Sequence, residues 1–168
     1  MHEKKNSAAD MRLVSQPAGA GSRQITAADF RLEDQFLIQQ LAYRYALAVD
    51  THDTALLASC FAPGVRIIGP GFVLEDNIAS AVIAGLRSRY VWTQHNVFNP
   101  LYRIDGEHAS GTVNCIASHV EQADEGPRKL DWYIRYHDRL VKQDGEWRLI
   151  ERRLEVAYAA TVSVIPLA

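Results

Sequence analysis

The chain has 168 residues, and its 48% apolar and 23% charged residues are typical of a globular protein with one substantial core. The formal net charge of −2 gives no electrostatic case for binding nucleic acid or an anionic membrane. No apolar run approaches the roughly 18 residues of a membrane-spanning helix, and the polar first residues do not resemble a signal peptide. We therefore expect a soluble, cytoplasmic protein.

The first part of the chain predicts a mobile arm and two helices. Residues 1–25 are rich in Ala, Ser, Gly and Gln without a sustained period, which is typical of a mobile arm. Apolar residues recur at helical spacing over 32–49, so we expect a helix that ends near Asp50. Asp53 is placed to cap a second, short helix over 55–61.

The rest of the chain predicts a third helix and then mostly strands. Short strands over 65–68 and 72–74 precede the helix, which covers 75 to about 90. Four long strands follow, over 91–104, 109–122, 129–142 and 146–160. Three helices followed by an antiparallel meander predict an α+β fold with the helices on one face of a curved sheet. No repeat or second domain is evident, so residues 26–168 are expected to form a single domain.

Two histidines are expected to share one face of the sheet. The Asp105-Gly106 pair is a strong hairpin signal between the first two long strands. A three-residue loop over 105–107 places Ile104 opposite His108 and His95 opposite Ala117. His119 is then a diagonal neighbour of His95, close enough to share a pocket. A register that differs by one residue would place the two imidazoles on opposite faces.

Several segments together resemble one structural family. The generic segments are Tyr43–Asp50, Phe61–Pro63 and Asp144–Trp147. They resemble the family of nuclear transport factor 2 and the SnoaL-type polyketide cyclases over about residues 30–160. The resemblance implies a cone-shaped α+β barrel, with three N-terminal helices packed on a curved, mainly antiparallel sheet. It also implies a homo-oligomer, a trimer or a dimer.

The more specific likeness is to scytalone dehydratase, a member of that family. Its site consists of a helix-end aspartate, a histidine in a Thr-Gln-His segment and a histidine on the next strand. Asp50, His95 within Thr93-Gln94-His95, and His119 match these features. The resemblance therefore implies that these three residues are catalytic and that neither a metal nor an organic cofactor is needed.

The chain departs from scytalone dehydratase at its substrate-orienting groups. Val49 and Gly69 stand where that family has two tyrosines, and Ile134 and Tyr136 replace its polar Ser and Asn. Tyr45 lies five residues before the helix-end aspartate, as a tyrosine does in the bile acid dehydratases. We expect a similar reaction on a different molecule.

The three residues suit the loss of water from a β-hydroxy carbonyl compound. The reaction needs a base for the carbon-bound proton and an acid for the departing hydroxyl, and imidazole can serve as either near neutral pH. A buried carboxylate such as Asp50 would fix the tautomer of one imidazole and stabilise its cation. Tyr45 or Tyr136 could donate a hydrogen bond to the carbonyl oxygen as enolate charge develops.

The predicted substrate-binding residues are mostly apolar. They are Tyr45, Val97, Ile134 and Tyr136, with Ile67, Leu101 and Val113 as further lining. Such a lining favours an aromatic or alicyclic ligand over a sugar or a phosphate.

The sequence leaves other functions open. A cofactor-independent dehydratase of a small hydrophobic hydroxy-carbonyl substrate is the first hypothesis, with a related cyclase or isomerase beside it. The second is a non-catalytic ligand-binding protein or structural subunit of the same fold. Two histidines and a carboxylate would also suit non-haem iron, but the ligands would have to converge closely on one atom, so metal ranks lowest.

The C-terminal segment is unusually apolar. Residues 157–168 carry no charge and continue the strand-like alternation until Pro166. We expect this segment to be buried, either across a subunit interface or as a lid over the pocket. A sheet face left uncovered by the helices also favours a homo-oligomer.

Overall fold

A computed structural model describes residues 31–165, and it confirms the α+β cone with helices packed on a curved, mainly antiparallel sheet. The helices are α1 (Leu32–Asp50), α2 (Thr54–Ser59) and α3 (Ile78–Arg87). The strands are β1 (Phe61–Gly69), β2 (Phe72–Leu74), β3 (Trp92–Asp105), β4 (His108–Ala123), β5 (Gly126–Gln143) and β6 (Glu146–Ser163). The predicted arm over 1–25 and Pro166 lie outside the described residues. None of the three described helices is long and apolar enough to cross a membrane.

The sheet contains one parallel pairing that the sequence did not predict. Its strand order is β2-β1-β6-β5-β4-β3, and β1 runs parallel to β6. The carbonyl of Cys60 accepts a hydrogen bond from Leu149 N–H, and Phe61 lies opposite Leu149. Strand pairing therefore begins at Phe61, and the second helix ends at Ser59 instead of continuing to Phe61 as predicted.

The β3–β4 loop is one residue shorter than predicted. Asp105 lies opposite His108, and Ile104 lies opposite Ala109 rather than His108. Gly106 adopts a φ of 58°, a left-handed conformation that favours glycine, at the first position of the two-residue loop.

A β-bulge compensates for the shorter loop. The register of β3 shifts between Phe98 and Leu101, where Asn99 adopts a φ of 48°. Because this shift cancels the change at the loop, His95 still lies opposite Ala117 as predicted. The two errors in the predicted hairpin offset each other at the histidines.

The C-terminal half of β6 forms an edge of the sheet. It pairs with β5 as far as Ser163, which lies opposite Arg128, so the predicted strand is confirmed and is slightly longer. Pairing with β1 ends at Arg153, and no other described strand pairs with that side of residues 154–163. Residues 157–163 are exposed, and none of residues 155–165 lines the cavity between the helices and the sheet, so this part of the tail does not form the expected lid.

A buried carboxylate attaches the start of α1 to the β5–β6 hairpin. Asp34 accepts hydrogen bonds from Lys142 Nζ and Trp147 Nε1, both at 2.8 Å, and from Arg31 Nε at 3.1 Å. Burial alone would raise the pKa of Asp34, but the bonds from Lys142 and Trp147 outweigh it and lower the pKa. The ionised carboxylate therefore links α1 to β5 and β6 through hydrogen bonds.

We expect Asp34→Ala to destabilise the fold by about 2–3 kcal/mol, since it leaves the buried Trp147 N–H and the Lys142 ammonium without their acceptor. Urea unfolding at neutral pH measures the effect. Glu33→Ala removes an exposed acid from the same helical turn and should change the stability by less than about 0.5 kcal/mol. Equal effects in the two variants would show that Asp34 does not tie the layers together.

Candidate functional site

An apolar cavity of about 370 Å³ lies between the helices and the inner face of the sheet. This volume is within the range of small-molecule sites. Its lining combines aromatic and aliphatic side chains with two imidazoles and one guanidinium. The lining residues are Tyr45, Val49, Ile67, Phe72, Leu74, Ala81, Val82, Gly85, Leu86, Arg89, Tyr90, His95, Ala117, His119, Trp132, Ile134, Tyr136 and Leu154.

Asp50, the last residue of α1, binds the start of β3 through three hydrogen bonds. Its carboxylate accepts from the His95 backbone N–H at 2.7 Å, from Thr93 Oγ1 at 3.1 Å and from His95 Nδ1 at 2.7 Å. The predicted contact between Asp50 and one of the two histidines is therefore present, and it is made with His95.

The contact lowers the pKa of Asp50 and selects the tautomer of the neutral His95 ring. Burial would raise the pKa of Asp50, but hydrogen bonds from the His95 side chain and backbone outweigh it and lower the pKa. An ionised carboxylate can only accept, so the neutral His95 ring must carry its proton on Nδ1. Nε2 of His95 then has a free lone pair, in a ring that lines the cavity.

His119 lies beside His95 in a different environment. The two ring centroids are 5.6 Å apart and the rings are nearly perpendicular, at 88°. Tyr90 and Trp132 contact His119 from other sides, with centroid distances of 4.5 and 5.9 Å. Burial, together with the neighbouring His95, lowers the pKa of His119 to about 4, so this imidazole is neutral at physiological pH. Its Nδ1 is buried without a hydrogen-bond partner among the described residues.

Two tyrosines of the cavity wall enclose a buried arginine. The Arg152 guanidinium carbon lies 4.1 Å from the ring centroids of both Tyr45 and Tyr136. Asp138 accepts bonds from Arg152 Nε at 2.8 Å and Nη2 at 2.7 Å, and from Tyr102 Oη at 2.7 Å. Burial raises the pKa of Tyr45 and of Tyr136, so both phenols stay protonated and can donate hydrogen bonds.

The burial of Arg152 was not predicted, because the residue stands in a run of charges that alternates with acids along the sequence. Residues two apart on a strand lie on the same face of the sheet. Arg152 therefore shares a face with Leu154 and Val156 of β6, and Asp138 shares a face with Tyr136 of β5. This spacing was the sequence signal that could have predicted the burial of Arg152. These positions face the interior, where a buried charge needs a partner of opposite charge. Asp138 binds Nε and Nη2 of Arg152, and Nη1 is buried without a partner among the described residues.

The structure places some predicted binding residues in the wall and others elsewhere. Tyr45, Ile134, Tyr136 and Ile67 line the cavity. Val97 packs against the hydrophobic core outside the lining, and Val113 is fully buried in the core. Leu101 is 76% exposed, because the bulge in β3 turns it to the outer face.

The contributions of α3, Tyr90 and Trp132 to the cavity wall were not predicted from the sequence. Tyr90 follows α3, and Trp132 alternates with Ile134 along β5, which was the available signal for its placement. At Gly69, where scytalone dehydratase carries a tyrosine, a Cβ would approach the Phe72 ring to 2.1 Å, so a side chain there would require this ring to move. Phe72 itself lines the cavity, so a ring without a hydroxyl occupies this part of the wall.

Among residues 31–165, no group of three or more His, Cys, Asp or Glu side chains is arranged to hold a metal ion. The arrangement instead consists of one oriented imidazole, one neutral imidazole and two phenols around an apolar space. Such groups can remove a proton from carbon and donate hydrogen bonds to an oxygen.

We predict that protonation of His119 makes acid destabilise the fold. The unfolded chain protonates this histidine near pH 6.5 but the folded chain only near pH 4, so stability falls as pH drops through this window. Urea unfolding at pH 7 and pH 5 should show a smaller loss in His119→Phe than in the unmodified protein. His108→Asn, which changes an exposed histidine, should lose as much as the unmodified protein. An identical pH dependence in His119→Phe would contradict the lowered pKa.

Comparison with known proteins places the fold in a known group. Rv3472 from Mycobacterium tuberculosis, of unknown function, is 28% identical over 78% of this chain and 76% of its own, with a TM-score of 0.67. A candidate scytalone dehydratase from Novosphingobium aromaticivorans is 21% identical over 82% of this chain and 93% of its own, with a TM-score of 0.70. Hexachlorocyclohexane dehydrochlorinase LinA-type3 from Novosphingobium barchaimii is 17% identical over 82% of this chain and 97% of its own, with a TM-score of 0.71.

No protein with curated annotation matches the chain. The SnoaL-like domain family matches residues 31–153, which include α1, every cavity-lining residue except Leu154, and the buried Arg152. Together with the cone-shaped sheet, this match shows that the chain belongs to the SnoaL-like family of the NTF2-like fold.

Proposed function

We propose that the protein is a cofactor-independent dehydratase that acts on a small hydrophobic hydroxy-carbonyl compound by Asp/His acid–base catalysis. The observation that carries the proposal is the 2.7 Å hydrogen bond from His95 Nδ1 to Asp50 in the wall of an apolar cavity. It leaves His95 Nε2 as a base with a carboxylate behind it, which is the pairing that stabilises an imidazolium.

His95 takes the proton from the carbon next to the substrate carbonyl, and the electron pair moves into the enolate. The enolate then expels the β-hydroxyl group, which leaves as water with the proton that His95 received. Asp50 stabilises the imidazolium between these two steps. His119, neutral at physiological pH, can orient the leaving hydroxyl by a hydrogen bond, and Tyr45 or Tyr136 can donate one to the enolate oxygen.

The family supports this reaction class at a coarser level. It includes dehydratases, dehydrochlorinases, isomerases and cyclases, and two of the similar structures are named for the loss of water and of hydrogen chloride. A cyclase or isomerase would use the same removal of a proton from carbon and differ only in the fate of the enolate. A non-catalytic binding protein would not need an oriented base in the wall.

Asp50→Asn should lower the rate of water loss by about 10²–10⁴-fold, because the imidazolium of His95 loses its anionic partner. The assay follows product mass and absorbance with β-hydroxy ketones fused to aromatic or alicyclic rings. Asp53→Asn is the matched control, because Asp53 caps α2 through Leu56 N–H and lies outside the cavity. An unchanged rate in Asp50→Asn would refute the proposed role.

A ketone without the β-hydroxyl separates the dehydratase from its alternatives. In D₂O, the unmodified protein should exchange the hydrogen next to the carbonyl of such a ketone, and Asp50→Asn should not. Exchange without water loss from any hydroxy ketone would favour the isomerase or cyclase. A lack of both activities would favour the binding protein.

We also propose that the protein is a homo-oligomer, a trimer or a dimer, that uses the edge of β6. Residues 157–163 are exposed and uncharged, and their outer side has no strand partner among the described residues. Tyr158 stacks on Tyr133 with centroids 4.3 Å apart, which extends the apolar surface onto the outer sheet face. Such an edge invites association with another chain.

Light scattering at micromolar concentration should therefore report more than one subunit. Val162→Lys should shift the protein toward the monomer, because it places a charge in this edge. Gln143→Lys adds the same charge at an exposed position at the end of β5 and should leave the assembly unchanged. A monomeric unmodified protein would contradict the proposal.

A further inference from the structure

Two small residues and an arginine line the cavity from the α3 segment, which consists of α3 and the turn that follows it as far as Arg89. Ala81, Gly85 and Arg89 are spaced four residues apart, and all three line the cavity. The helical turn continues past the end of α3, since Arg89 N–H donates to the carbonyl of Leu86 at 3.1 Å. The three residues therefore form one row along the segment.

Among residues 31–165, Arg89 is the one lining residue that carries a permanent charge. It is exposed, which places it at the opening of the cavity, and its guanidinium has no ion-pair or hydrogen-bond partner among residues 31–165. The other cation near the wall differs in this respect, because Arg152 is bound to Asp138. A guanidinium that lines an apolar cavity without a partner can bind an anionic group of a ligand.

Gly85 leaves the wall beside Arg89 flat. A Cβ at this position would meet nothing within 4 Å, so the glycine is not required by packing against the protein. Glycine within a helix costs about 1 kcal/mol relative to alanine. The space that it leaves open has room for a ring lying against Ala81 and Gly85.

We propose that the substrate is an aromatic or alicyclic carboxylate, whose ring lies over Ala81 and Gly85 and whose carboxylate binds Arg89. This proposal rests on the proposed function, and it adds the charge of the substrate and its orientation in the cavity. A carboxylate fits better than a phosphate, because one guanidinium pairs with one carboxylate through two parallel hydrogen bonds. A phosphate dianion would need further cations, and the described lining supplies none.

The orientation keeps the anion away from the reacting groups. Asp50 is ionised and binds His95, so a second anion beside this pair would be repelled. Arg89 lies at the opening instead, which leaves the apolar interior near His95 and His119 for the reacting part of the ring system. The guanidinium would thereby act as a specificity-determining residue.

Calorimetric titration with 2-naphthoate and 2-naphthamide tests the proposal, because the two ligands share a ring system and differ in charge. The unmodified protein should bind the naphthoate more tightly. Arg89→Gln should weaken naphthoate binding by about 10-fold or more and change naphthamide binding by less than about 2-fold. Arg87→Gln removes the same charge from an exposed residue outside the lining and should change neither.

A second variant tests the position of the ring. Gly85→Leu keeps the charge of Arg89 but fills the space beside it, so it should weaken both ligands by a similar factor. The proposal is overturned if naphthoate does not bind the unmodified protein, if Arg89→Gln and Arg87→Gln act alike, or if Gly85→Leu binds both ligands normally. Asp50→Asn should retain the preference for naphthoate, so a failure of the chemistry and a failure of the binding preference can be distinguished.

Discussion

The hydrogen bonds of Asp50 connect the fold to the site. A carboxylate at the C-terminus of a helix faces the negative end of the helix dipole, and the last turn of α1 contains no basic residue to offset it. Three hydrogen-bond donors of β3 offset this electrostatic repulsion: the backbone N–H and ring Nδ1 of His95, and the hydroxyl of Thr93. The same contacts attach α1 to the sheet and orient the imidazole, so one interaction serves both stability and the proposed chemistry.

A second ionic group, the pair of Arg152 and Asp138, packs behind two tyrosines of the cavity wall. Arg152 is fully buried, and Asp138 and the rings of Tyr45 and Tyr136 surround its guanidinium. Removing water from such a pair is costly, and well-packed apolar residues often stabilise a fold as well or better. The Arg152 guanidinium packs against both ring faces and so restricts the positions of the two cavity-lining phenols.

Sequence periodicity predicted the elements better than their contacts. Alternation and the Asp105-Gly106 turn located the strands, and the resemblance predicted that Asp50 and His95 belong to one site. Periodicity could not reveal the bulge that turns Leu101 to the outer face, because a one-residue shift in register leaves no periodic signal in the sequence. The parallel β1–β6 pairing and the row formed by α3 are long-range contacts, and they depend on packing that local propensity does not encode.

In the proposed mechanism, Asp50 holds His95 as a base, with its proton on Nδ1 and a free lone pair on Nε2. Nitrogen-15 NMR of the histidine rings near neutral pH measures this directly, because protonated and unprotonated ring nitrogens have well-separated chemical shifts. We expect a protonated Nδ1 and an unprotonated Nε2 for the neutral His95 ring, and a loss of this preference in Asp50→Asn. A neutral His95 ring with its proton on Nε2 would contradict it.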